Sequence, residues 1–318
     1  MAELYVGVDT SNYTTSVAAV DLEGNIVANI KIPLPVKPGE LGLRQQAALF
    51  EHTKNLPDAF LRLEKVIDSH RIAAVGVSQK PRNAEGSYMP CFLAGVSAAQ
   101  AFAVAANVPL YKFSHQCGHI RAAVAGSGSE VNDEEFTAIH ISGGTTEMLL
   151  CRRSSEGYDC KITGGTLDLC AGQAVDRTGV MLGYPFPCGK YLEEAALEYR
   201  GDRPKFKLSV KGTYFNLSGL ENLVKKEFAT SGDKGRTSVL ALDFIAASLY
   251  RAISAQLDVY GDMQVICSGG VMSNSLIKNV LSDIPGIRFA PPALSADNAV
   301  GIAYLARDSH ISATEEKL

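Results

Sequence analysis

The chain opens with an apolar strand, a polar turn and a returning strand, and it repeats this device past its middle. Leu4-Tyr5-Val6-Gly7-Val8 reads as a buried strand, Asp9-Thr10-Ser11-Asn12-Tyr13-Thr14-Thr15 as a turn, and Ser16 to Val20 as the return, with a third strand after Glu23-Gly24-Asn25. Thr137 to Ile141, Ser142-Gly143-Gly144-Thr145-Thr146 and Glu147 to Cys151 follow the same plan. Gly, Ser and Thr in such turns offer backbone N–H groups and hydroxyls to phosphate oxygens without side-chain crowding. One turn of this kind is ordinarily just a hairpin. Two of them, heading the two halves of one chain, predict duplicated lobes that serve one nucleotide.

The intervening pattern is α/β. Helices are expected from about Leu41 to Ile67, Phe92 to Ala106, Asp168 to Leu182, Tyr191 to Tyr199 and Ser238 to Leu257, with a buried strand at Ala73 to Val77. Met263 to Cys267 reads as a strand ending in Ser268-Gly269-Gly270, with a helix through about Leu281, an order that lets a ligand approach a helix N-terminus. The run after Ser309 reads as a polar tail. A length of 318 residues suits two cores, divided as an N-terminal lobe 1–130, a C-terminal lobe 131–290 and a return segment 291–318. No unbroken apolar run nears the roughly 18 residues of a membrane span, and the N-terminus lacks the order of a secretory signal. Seven irregularly spaced cysteines argue against a disulfide framework, so a cytoplasmic protein is expected, with no membrane partner. The net charge of −4 gives no general attraction to polyanions, so any nucleic-acid contact has to be local.

His115 and His119 stand four apart in Ser-His-Gln-Cys-Gly-His. On a helix that spacing places both on one face, with Cβ atoms about 5–6 Å apart. Two imidazoles and a distant carboxylate, Asp297, are candidate ligands of one divalent metal, weighed against ordinary surface or capping roles. Two histidines with a carboxylate suit iron or zinc better than magnesium, although magnesium stays open. Cys117 lies between the histidines, where a buried neutral thiol is the expected state. A His-Glu-x-x-His protease needs a glutamate after the first histidine, and here that position is Gln116.

These blocks, in this order, resemble the sugar kinase, heat-shock-protein and actin superfamily, and within it the TsaD family of tRNA threonylcarbamoyladenosine synthase subunits, once called glycoproteases. The matching blocks are Asp9-Thr10-Ser11, His115 with His119, Ser142-Gly143-Gly144, Gly165 to Asp168 with Ala171 to Asp176, Tyr184-Pro185 with Gly189, Leu217 to Leu220, Gly269-Gly270-Val271 with Asn274, and Asp297-Asn298-Ala299. The resemblance implies a two-lobed fold with duplicated mixed sheets flanked by helices. It also implies a metal on His115, His119 and Asp297, and adenine-nucleotide or acyl-adenylate contacts from His140, Ile141, Ser142, Gly143, Gly144, Asp176, Gly189 and Asn274. Read as residues alone, Asp176 is more simply a helix-surface carboxylate, Asn274 a helix cap and Gly189 a loop glycine after Pro187-Cys188. The implied partners are tRNA and the protein subunits of a tRNA-modification complex.

Three departures mark a divergent paralogue. Ser11-Asn12-Tyr13-Thr14-Thr15 stands where the family has Ser-Cys-Asp-Glu-Thr, so its acidic pair is gone, and a phenol of pKa about 10 is no carboxylate base. Gln79 to Pro90 replaces the family's Gly-Pro-Gly-Leu turn, and brings Lys80 and Arg82 as candidate anion contacts or solvated charges. Glu221 replaces a lysine. Two readings follow: a carbamoyl-type transferase working through an adenylate on tRNA or another acceptor, or a nucleotide- and metal-binding regulatory or scaffold protein.

Overall fold

A computed structural model of the chain describes residues 3–11, 13–35, 43–67, 70–128, 135–295 and 297–316. Asn12 of the first turn and the start of the helix expected from Leu41 lie outside them. The elements run β1 (Glu3–Asp9), β2 (Thr14–Asp21), β3 (Ile26–Pro33), α1 (Gln45–Ile67), β4 (Arg71–Lys80), α2 (Phe92–Ala106), β5 (Leu110–Ser114), α3 (His115–Gly126), β6 (Glu135–Ile141), β7 (Thr146–Ser154) and β8 (Gly157–Thr166). There follow α4 (Ala171–Met181), α5 (Gly189–Glu198), β9 (Val210–Lys211), β10 (Tyr214–Phe215), α6 (Gly219–Ser231), α7 (Lys234–Tyr260), β11 (Val265–Ser268), a 3-10 turn (Gly270–Ser273), α8 (Ser275–Leu281), β12 (Ile287–Phe289), α9 (Pro292–Ser295) and α10 (Val300–Glu315).

The repeated hairpins build two sheets of the same plan. In the first, strands lie in the order β3-β2-β1-β4-β5, and in the second, β12-β11-β6-β7-β8 continues into β10-β9. β1, β2 and β3 pair antiparallel, while β4 adds parallel to β1 and β5 parallel to β4. Likewise β6 and β7 pair antiparallel, and β11 and β12 add in parallel on the far side of β6. The parallel additions need crossover helices, which the apolar helical stretches between them supply. The chain thus adopts the two-sheet mixed α/β architecture expected from the sequence.

Contacts divide it into two compact units, one of Met1–Gly128, Arg153–Asp159 and Leu294–Leu318, the other of Ser129–Arg152 and Cys160–Ala293. In the first unit, α10 lies directly on the sheet because Gly7 and Gly76 present no side chain there. A Cβ at Gly7 would overlap the Ala299 carbonyl oxygen and Ala303 nitrogen, and one at Gly76 would stand 2.8 Å from the Ile302 oxygen. Every residue from Val300 to Ala306 is buried. The run after Ser309, read as a polar tail, is instead the end of α10, since its polar residues only face outward once the helix is established.

In the second unit α7 fills the centre of a core that includes Ile139, Met148, Leu192, Phe244, Ile253 and Cys267. Among the described residues it is the one helix long and apolar enough to cross a membrane, and 67% of its most apolar window is buried in the protein's own core. Ser238, Asp243 and Ser248 interrupt its apolar residues, so no unbroken apolar run marks it in the sequence. The helix expected from Asp168 begins later, at Ala171, because the Asp168 carboxylate is engaged in accepting the Leu217 and Ser218 N–H groups. The seven cysteines are free thiols, including Cys151 and Cys160 on neighbouring strands with sulfurs 3.3 Å apart.

Candidate metal and nucleotide sites

His115 and His119 sit on the first turns of α3, which starts where Ser114 turns extended and its hydroxyl accepts the Cys117 N–H. Asp297 precedes α10, on a loop held by its neighbours: the Asn298 side chain accepts the Val300 N–H and donates to the Leu294 carbonyl, and the Ala299 N–H donates to Ser16 Oγ. The result is convergence. Asp297 Oδ1 lies 3.1 Å from His119 Nε2 and 3.7 Å from His115 Nε2, and one ligand atom from each of the three residues falls within 4.8 Å of the others. Donors around one tetrahedral ion with bonds near 2.1 Å stand about 3.4 Å apart, so this set closes on a metal with side-chain shifts of about an ångström. Two imidazoles with one carboxylate form a donor set suited to iron or zinc.

The charges of the triad are coupled. Burial pushes the Asp9 carboxyl up, but the His115 charge and hydrogen bonds from His115 and Ser11 outweigh it and bring it down to about 2. Burial pushes His115 down, but the charge and hydrogen bond of Asp9, and then the charge of Asp297, raise it to about 9. Burial likewise raises Asp297, and the His119 hydrogen bond and the two histidine charges override it, so its carboxyl stays below its ordinary value. An ion taking His115 Nε2 would need that nitrogen deprotonated.

Cys117, between the two histidines in sequence, is buried with its thiol donating to the Tyr158 carbonyl, as its sequence position suggested. The loop from Gln79 to Pro90 lies along α3: Pro81 accepts the Gln116 N–H, and Asn83 donates to the Tyr158 carbonyl. Lys80 pairs with Glu156 at 3.4 Å. Tyr13, at the lost acidic pair, is 45% exposed, and Thr14 begins β2.

The candidate nucleotide residues all belong to the second unit. The turn after β6 is closed by the Ser142 N–H donating to the Thr145 carbonyl, and it rests on α4 so tightly that a Cβ at Gly172 would stand 2.7 Å from the Gly143 backbone. Gly143 and Gly144 face open space. A glycine turn set beside a helix N-terminus offers N–H groups to an anion. Ile141 is buried, so it can contribute only main chain, and His140 Nδ1 lies 3.1 Å from Ser268 Oγ.

Asp176 Oδ1 accepts the Cys188 N–H at 2.8 Å, and its side chain lines a hollow of about 370 Å³ with Arg177, Val180, Met181, Glu221 and Val224. The Glu221 carboxylate is met by Lys225 at 2.8 Å and Arg177 at 3.2 Å, whose hydrogen bonds hold it below the ordinary value. Gly189 opens α5, and Asn274 caps α8 by accepting the Leu276 and Ile277 N–H groups. The cap occupies the Asn274 oxygen and leaves its NH2 to donate.

The family model for TsaD, tRNA N6-adenosine threonylcarbamoyltransferase, matches residues 39–304. Relatives carrying the name tRNA N6-adenosine threonylcarbamoyltransferase include one from Neorickettsia sennetsu, 27% identical over 95% of this chain and 92% of its own, and one from Bacillus licheniformis, 30% identical over 95% and 90%. Among solved structures, HypF of T. kodakarensis superposes with a TM-score of 0.61 at 13% identity, over 98% of this chain and 48% of that one. A ROK family glucokinase from Streptomyces griseus gives 0.51 at 14%, over 96% and 99%. Those structural likenesses speak for the fold, while the sequence match speaks for kinship. The chain belongs to the TsaD family of tRNA N6-adenosine threonylcarbamoyltransferases.

Proposed function

We propose that this chain is a metal-dependent transferase that moves a threonylcarbamoyl group from an acyl-adenylate to the N6 amine of a tRNA adenosine. The observation that supports it most is the convergence of His115, His119 and Asp297 on one point, within a chain of this family. A bound divalent ion would act as a Lewis acid on the carbamoyl carbonyl. His115 and His119 supply neutral nitrogen donors and Asp297 the negative charge that offsets part of the ion's own. The Ser142 to Gly144 turn offers N–H groups to the adenylate phosphate, and Asp176, Gly189 and Asn274 receive the nucleoside. In the transfer the N6–carbon bond forms, the carbon–oxygen bond to the phosphate breaks, AMP leaves, and the amine gives up a proton that the departing phosphate can accept. Such a step needs no carboxylate at Tyr13 or Thr14. A cytoplasmic location and protein subunits that make the adenylate go with this reading.

Cells depleted of their own TsaD protein and supplied with this chain should regain threonylcarbamoyl-adenosine in tRNA, as read by nucleoside mass spectrometry. Unmodified tRNA from cells holding soluble, metal-loaded protein would overturn the transferase reading and favour the regulatory one that the missing acidic pair suggests.

The nucleotide assignment has its own test at Asn274. Asn and Asp cap helices about equally, while Ala costs about 1 kcal/mol. Asn274→Asp should therefore keep stability within about 0.5 kcal/mol in urea denaturation. Because it removes the NH2 donor, it should weaken adenine-nucleotide binding by about 1–2 kcal/mol in calorimetry. Asn274→Ala should lose both. Wild-type affinity in the Asp variant would remove Asn274 from the site.

A further inference from the structure

We propose that Asp9, at the end of β1, is a positioning residue for the metal centre: it holds the Nδ1–H of His115 and thereby fixes Nε2 as the ligand atom. Its Oδ2 lies 2.7 Å from His115 Nδ1. A carboxylate at that distance can only accept, so the proton sits on Nδ1 and the lone pair of the neutral ring belongs to Nε2, the nitrogen that faces Asp297. Metal-bound histidines generally pass their second N–H to a carboxylate or carbonyl, which sets the ring's orientation and raises its basicity.

The carboxylate is itself immobilised. Asp9 is 1% exposed, and its Oδ1 accepts the Ser11 N–H at 2.7 Å. The next residue is pinned from two sides: Thr10 Oγ1 donates to the Cys91 carbonyl and accepts the Gly95 N–H. Gly95 has no room for a side chain, since a Cβ there would stand 2.7 Å from Thr10 Oγ1. The Phe92 ring, 6.3 Å from the His115 ring, closes another side. The turn after β1 therefore holds a fixed acceptor, and α3 brings its first histidine to it.

Ser11 Oγ lies 3.4 Å from His115 Nε2, so Asp9, His115 and Ser11 together have the outline of a nucleophilic triad. Ser11 is 1% exposed, which denies an electrophile access to its hydroxyl. The carboxylate is thus assigned to ligand orientation and not to nucleophile activation.

This inference rests on His115 being a metal ligand, and the experiment separates the two. Zinc affinity of the full-length protein is measured by competition with a chromophoric chelator, for the wild type and for Asp9→Asn, which keeps the shape and removes the charge. A 10- to 100-fold weaker affinity in Asp9→Asn is expected, the range for losing an outer-shell partner. Equal affinities, with the wild type binding one zinc, would overturn the role of Asp9 and leave the metal site standing. A wild type that binds no zinc would overturn the metal reading and this inference together. Nitrogen NMR of zinc-loaded wild-type protein, with the His115 signals identified through His115→Gln, reads the same point without altering Asp9. A protonated Nδ1 and a zinc-bound Nε2 are expected, and zinc on Nδ1 would overturn the proposal.

Discussion

On the proposed metal site, Asp297→Ala should abolish divalent-ion binding while leaving the fold in place. Asp297 brings the only carboxylate of the three convergent residues, 3.1 Å and 3.7 Å from the two facing imidazole nitrogens, and without it two neutral donors remain. Outer-shell partners of metal ligands alone carry about 10–100-fold in affinity, so loss of a direct, charged ligand should exceed about 100-fold. The fold should survive because the loop is held by Asn298 and by the Ala299 N–H on Ser16, with the Asp297 side chain partly exposed. Elemental analysis should find metal near zero in a variant whose circular dichroism matches the wild type. Unchanged stoichiometry would place the ion elsewhere and remove the structural support for the transferase reading.

The parts of this protein legible in the sequence are those set by local pattern. Each hairpin announces itself through a short apolar run, a Gly/Ser/Thr turn and a second run, and its repetition anticipates two sheets of one plan. The i,i+4 spacing of His115 and His119 likewise fixes their shared face once Ser114 starts the helix. What stays hidden depends on pairings across the chain. Asp9 reads only as a turn residue, because nothing in the local sequence links it to a histidine 106 positions away. The late start of α4 has the same origin, since Asp168 bonds to Leu217 and Ser218. The end of α10 was hidden for a different reason: its polar residues look like a tail unless its buried half is known to be helical already.

Gly301→Ala should be the most damaging single-methyl change near the His115, His119 and Asp297 cluster, although alanine is the better helix former by about 1 kcal/mol. An added Cβ at Gly301 would overlap the Gly118 carbonyl oxygen and stand 2.9 Å from the Ala122 nitrogen, so α10 and α3 touch backbone to backbone there. A side chain can rotate away from an intruding methyl, whereas a carbonyl inside a helix can move only with its helix. Overpacking of this kind costs about 1–3 kcal/mol, occasionally more. With no rotamer to relieve it, the cost should lie at or above the top of that range and outweigh the gain in propensity. A net loss of about 2 kcal/mol or more should appear as a lower urea midpoint with an unchanged slope. The same contact carries the geometry of the His115, His119 and Asp297 cluster, because α3 bears both histidines and Asp297 stands just before α10. Parting the helices by even an ångström spreads the three donors, so zinc affinity should fall along with stability. A variant as stable as the wild type would mean that the helices slide past each other at little cost, and the close Gly118–Gly301 approach would then not be what sets the distance between His119 and Asp297.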